Sequence, residues 1–119
     1  MPAVNNAFYD DLGDRWFEGD DHAIALLRAE APLKLGYVRE VFARYGVPAR
    51  ARVLDVACGA GLVTLPLAEA GYRMEGVDLA AGALDQARQR VPPGAEATFR
   101  VGDATALDAA DATYDAVLL

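Results

Sequence analysis

The spacing of apolar positions changes once along the chain, separating a helical first part from an alternating second part. Residues 1 to 20 are polar with spaced aromatics, Phe8, Tyr9, Trp16 and Phe17. From Asp20 the spacing turns helical. Asp20 or Asp21 is placed to cap a helix start, and Ile24, Leu27 and Ala31 follow on one side. Pro32 breaks or restarts this run, because it lacks an N–H and crowds the turn before it. Leu35, Val38, Val41, Phe42 and Tyr45 share one face of a second helix. Gly46 and Pro48 stop that helix.

From Arg52 the period shortens. Arg52 to Ala57 (RVLDVA) reads as a strand, and a CGAG turn leads into a helix that ends at Gly71. Pro66 falls near its first turn, where a missing N–H is tolerated. Tyr72 to Asp78 is a second strand and Ala80 to Val91 a second helix, stopped by Pro92 and Pro93. Thr98 to Val101, with a start as early as Ala95, is a third strand. Asp103 to Thr113 is a loop or short helix, and Tyr114 to Leu119 a fourth strand. Strands alternating with helices imply a parallel sheet with right-handed crossovers. The expected fold class is α/β: a Rossmann-like, three-layer parallel sheet holding strands 1 to 4, preceded by two helices. Residues 1–50 form a lead segment and residues 51–119 the start of a ligand-binding domain. No cap or turn follows the fourth strand, so a partial domain truncated in that strand is expected. Its open edge predicts self-association. Two local rules are broken: Ala80 is a poor N-cap, and Gly82 weakens the first turn of its helix.

Composition narrows the partners. Of 119 residues 54% are hydrophobic and 24% charged, which is globular rather than disordered. The net charge of -7 argues against a phosphate-backbone partner and against an anionic membrane surface. No run approaches the roughly 20 apolar residues of a membrane span, and the N-terminus lacks the pattern of a signal peptide. The cytoplasm is the expected location. One cysteine, Cys58, permits no internal disulfide, and with the single His22 it cannot build a zinc site.

The chemistry concentrates in VLDVACGAG, residues 53–61. A strand enters a glycine-rich turn that opens a helix, which is where open α/β sheets place ligands. A dinucleotide site asks for G-x-G-x-x-G, but Thr64 stands at the third glycine position. Asp55, four residues before Gly59, would repel a pyrophosphate and suits a ligand with an ammonium and a sulfonium. Asp78, 17 residues after Gly61 at the end of the second strand, is placed to accept from ribose hydroxyls. Asp103, after the third strand, is placed to accept from an adenine amino group.

VLDVACGAG, GVDLA, VGDATAL and YDAVLL together resemble the ordered motifs of class I S-adenosylmethionine-dependent methyltransferases, across residues 52–119. The resemblance implies that Asp55, Ala57, Gly59 and Gly61 hold the methionine part of S-adenosylmethionine, with Cys58 a small residue beside them. It implies that Asp78 holds the ribose, with Leu79 against the adenine, and that Asp103 and the Ala104 backbone hold the adenine. The implied strand order is 3-2-1-4-5-7-6. The lead segment, with Phe8, Trp16-Phe17 and Pro32 to Tyr37, is similar to that of ubiquinone-biosynthesis O-methyltransferases. Here Phe17 replaces a Trp, Arg28 a His, and Ala31 an Asn. The implied reaction is O-methylation of a small aromatic or quinol-like acceptor, with the catalytic residues unassigned and no metal.

Other readings stay open. One is an NAD(P)-dependent oxidoreductase on the same sheet, against which Thr64 argues. Another is a cofactor-binding fragment inactive by itself. Trp16 and Phe17 serve equally as a substrate lid or as packing. His22 reads as a surface or capping residue, Cys58 as a buried small residue, and Arg100 as a solvent contact.

Overall fold

A computed structural model describes residues 6–19, 22–103 and 113–119, the side chains of Asn6 and His22 excepted. The elements are α1 (Asn6–Asp10), a 3-10 turn (Gly13–Trp16), α2 (His22–Arg44), β1 (Arg52–Val56), α3 (Thr64–Glu69), β2 (Arg73–Asp78), α4 (Ala81–Arg88), β3 (Ala97–Val101) and β4 (Ala116–Leu118). The strands form one parallel sheet in the order β3-β2-β1-β4. Central β1 pairs Asp55 with Gly76 on one side and with Leu118 on the other.

Alternation along the strands sorts the two faces. Val53 and Met74 point to the helices, packing with Val38 and Phe42 of α2 and Leu67 and Ala68 of α3. Phe99 of β3 continues this face, under Leu65 of α3 and Leu84 and Ala87 of α4. The opposite face carries Leu54, Val56 and Val77, with Tyr114 against them. Among the described residues the helices lie on one face. Residues 104–112, where a loop or short helix was expected, lie outside them, as do Asp20 and Asp21, the expected helix cap.

The helical region departs from expectation. Pro32 does not divide the first helical region: α2 is a single helix of 23 residues with Pro32 inside it. An interior proline costs about 3 kcal/mol. The two ends of α2 are anchored in different clusters. Ile24 packs with Leu12, Trp16, Ala60 and Ala83, while Val38 and Phe42 pack on β1 and α3. Three such side chains contribute about 1.5–3 kcal/mol each on burial, enough to outweigh the proline. Tyr45, which spacing put on the packed face, lies past the helix end and is exposed.

Arg100 is not a solvent contact. Its Nε donates to Glu75 Oε1 at 2.5 Å across the β2–β3 pair, and the Tyr114 hydroxyl donates to the other Glu75 oxygen. Among the described residues β4 lies at the edge of the sheet, with Val117 half exposed. No helix among the described residues is long and apolar enough to cross a membrane.

Candidate cofactor site

The carboxyl ends of β1 and β2 and the residues just after β3 meet at a cavity of about 560 Å³. A parallel sheet necessarily brings these ends together, since every crossover returns the chain to the same edge. The second wall comes from the lead segment. Leu27, Glu30, Ala31 and Lys34 lie along one side of α2, and Tyr9 and Trp16 complete the wall.

The turn after β1 is tightly specified. Ala57 has φ of 59°, in the left-handed region that ordinary residues avoid, and Gly59 and Gly61 have φ of 57° and 82°. A side chain on Gly59 would come within 2.9 Å of the Trp16 indole. Gly61, expected at the cofactor, does not line the cavity. A Cβ there would meet Leu65 at 3.0 Å and Ala87 at 3.3 Å, so its missing side chain lets α3 and α4 close over the turn.

Asp55 lies at the cavity floor and is buried. The Thr64 hydroxyl donates to Asp55 Oδ2 at 2.6 Å. Burial pushes the Asp55 carboxyl above its ordinary range, and the Thr64 hydrogen bond and the Lys34 charge pull against that rise. Thr64 and Lys34 were not identified as site residues from the sequence. Thr64 appeared only as a departure from a glycine pattern. Lys34 is a cation on the same cavity as an anion 21 positions later, a proximity that exists only once α2 folds back on β1.

Asp78 uses both carboxylate oxygens on backbone amides. Oδ2 accepts from Gly59 N–H at 2.8 Å and Oδ1 from Ala80 N–H at 2.9 Å, so one side chain ties the glycine turn to the start of α4. A carboxylate has about four acceptor positions, and Asp78 also lines the cavity. Leu79 and Asp103 line it next to Gly102. Ala104 lies outside the described residues.

Cys58 is a cavity residue whose Sγ rests beside Gly76, where a Cβ would come within 2.7 Å of it. Burial pushes its thiol far up, and the charges of Asp55 and Asp78 push it further. A thiol held protonated in this way is a packing group rather than a nucleophile.

The site therefore offers the buried carboxylate of Asp55, the Lys34 cation, carboxylates at Glu30, Asp78 and Asp103, and apolar walls from Trp16, Leu27, Leu62 and Leu79. This charge pattern matches an amino acid joined to a nucleoside. It opposes a pyrophosphate, which would meet carboxylates on most sides.

Known proteins resemble the chain in sequence and in fold. Residues 53–119 match a family model described as a methyltransferase domain. Over 94% of its length the chain is 37% identical to a ubiquinone biosynthesis O-methyltransferase of Azorhizobium caulinodans and 32% identical to one of Methylocella silvestris. It spans about half of these relatives, 47% and 49% of their lengths. A solved magnesium protoporphyrin IX methyltransferase from Synechocystis PCC 6803, with S-adenosylhomocysteine bound, superposes with a TM-score of 0.73. It covers 94% of this chain and 54% of its own at 24% identity, a likeness of fold. The glycine turn, the strand order and the match over residues 53–119 place the chain in the methyltransferase domain family.

Proposed function

We propose that the chain binds S-adenosylmethionine and serves methyl transfer to an oxygen of a small aromatic or quinol-like acceptor. The observation that carries the cofactor reading is Asp55, a carboxylate held buried at the cavity floor with Lys34 on the same cavity. This pair suits the ammonium and carboxylate of the cofactor's amino acid end. Ala57, Cys58 and Gly59 shape the turn along that end, and Gly61 lets the helices close behind it. Asp78 takes the ribose hydroxyls, Leu79 covers the adenine, and Asp103 with Ala104 borders the adenine edge.

When bound, S-adenosylmethionine supplies an electrophilic methyl group on a sulfonium. The chain's part is orientation, holding donor and acceptor in line, from which such reactions draw much of their rate. Trp16, Leu27 and Tyr9 give an apolar and aromatic wall suited to excluding water and to a flat acceptor. The acceptor class is supported by the similarity to ubiquinone-biosynthesis O-methyltransferases, which extends through the lead segment. Residues 1–50 thus act as a wall and residues 51–119 as the cofactor half of a domain working in the cytoplasm without nucleic acid. The exposed β4 edge, with an apolar groove between Val41 and Leu118, supports self-association.

Incubation with methyl-labelled S-adenosylmethionine and a catechol acceptor tests the reaction. Label recovered in an O-methyl ether supports it. Bound S-adenosylhomocysteine without transfer favours the second reading, a cofactor-binding piece inactive by itself.

A further inference from the structure

Residues 6–19 are fastened at three places, twice to the sheet domain and once to α2. Asp10, the last residue of α1, accepts through Oδ1 from the backbone N–H of Gly82, the second residue of α4. Gly82 has no room for a side chain there, because a Cβ would run into the Asp10 carbonyl oxygen. Ala80 gives α4 no side-chain cap. Asp10, 72 residues earlier, supplies one, with the charge that a helix N-terminus favours. Second, Arg28 of α2 donates to the carbonyls of Arg15 at 2.9 Å, Gly19 at 2.7 Å and Trp16 at 3.4 Å. Third, Arg90 pairs with Asp14 at 3.2 Å and lies 3.9 Å over the Phe17 ring.

Trp16 sits between these fastenings. It is 4% exposed, its indole N–H donates to the Tyr9 carbonyl at 3.1 Å, and its ring fills the space a Gly59 side chain would need. Gly82 and Arg28 do not line the cavity, whereas Trp16 and Tyr9 do. We infer that residues 6–19 form a latched wall over the glycine turn, and that Gly82 and Arg28 are positioning residues for cofactor retention, acting through Trp16. The inference rests on the cavity being the S-adenosylmethionine site. It gives the two broken local rules of α4 one cause: Ala80 and Gly82 leave the helix start open for a cap brought by the lead segment.

Trp16 lies against Gly59, which the proposed function sets along the amino acid end, so the latch governs ligands that reach that end. Adenosine, which stops at Asp78 and Asp103, is held without it. A role confined to general stability would weaken both ligands alike.

Trp16 is the only tryptophan of the chain, so its emission reports whether the wall is docked. The test compares the chain with Gly82→Ala, Arg28→Met and Asp10→Ala, the last introducing no clash. In the variants Trp16 emission shifts to the red with the backbone circular dichroism unchanged. S-adenosylhomocysteine binds about tenfold more weakly and dissociates faster, while adenosine changes by less than about threefold, the scale of one lost cap or carbonyl contact. Red-shifted variants that hold S-adenosylhomocysteine as tightly as the unaltered chain overturn the latch and leave the cofactor reading standing. Equal losses for both ligands overturn it as well. No binding of S-adenosylhomocysteine by the unaltered chain overturns the cofactor reading and the latch together.

Discussion

The hydroxyl of Thr64 donates to a carboxylate oxygen of Asp55 at 2.6 Å, and both residues are buried. The first residue of α3 thereby fixes the acid at the end of β1, so the helix that follows the glycine turn reaches back to hold the floor of the cavity. Replacing Thr64 by Val keeps the shape and removes the donor. Leaving a buried acceptor without its partner costs about 1–3 kcal/mol. Thermal melting of Thr64→Val should fall accordingly, while Thr64→Ser stays near the parent. Equal melting of the Val and Ser variants would show that the hydrogen bond does not hold the acid.

Asp55 itself should trade stability for binding. Its carboxyl is raised above 3.8, first by burial. A group raised in this way contributes stability that is full below 3.8 and is lost as pH rises through the folded value. Asp55→Asn removes the charge and keeps an acceptor for Thr64. The melting advantage of Asp55→Asn over the parent should grow from pH 3.8 upward and level off once Asp55 is ionised. S-adenosylhomocysteine binding should weaken in the same variant. An advantage constant across pH would mean that the charge is not what costs stability.

Ala57 holds a left-handed φ of 59° at the turn. Such a conformation costs an ordinary residue roughly 1–2 kcal/mol, and a glycine in its place loses roughly 0.5–1 kcal/mol through chain entropy. Ala57→Gly should therefore be neutral or more stable by up to about 1.5 kcal/mol, and Ala57→Val clearly less stable. Chemical denaturation measures both. A Gly variant well below the parent would mean that the turn is not strained.

Cys58 should be inert. Burial and the Asp55 and Asp78 charges hold its thiol protonated well above neutral pH, so alkylation by iodoacetamide should be slow in the folded chain and fast in denaturant. Equal rates in both states would contradict the packing seen beside Gly76.

The second half of the chain was readable because its signals are dense. β1, β2 and β3 lie within two residues of where strand-like runs placed them, and the order β3-β2-β1-β4 follows from the motif resemblance. Asp55, Gly59, Asp78 and Asp103 are legible because each lies at or just beyond the carboxyl end of a strand, the edge at which a parallel sheet gathers its ligand residues. The first half carried weaker signals. Helix α1 has five residues and the 3-10 turn four, too few for a period to register. Pro32 reads as a break in α2 because local propensity does not include packing at both ends of a helix. Lys34, Thr64 and the Asp10 cap on Gly82 are contacts between elements, invisible until the chain folds.

Calorimetric titration with S-adenosylhomocysteine and with NADH, on the chain and on Asp78→Ala, tests the central claim most directly. The account predicts binding of S-adenosylhomocysteine alone, weakened roughly 10-fold to 100-fold in Asp78→Ala, the scale of hydrogen bonds to a charged group. Binding of NADH in its place, or S-adenosylhomocysteine binding indifferent to Asp78, would contradict it.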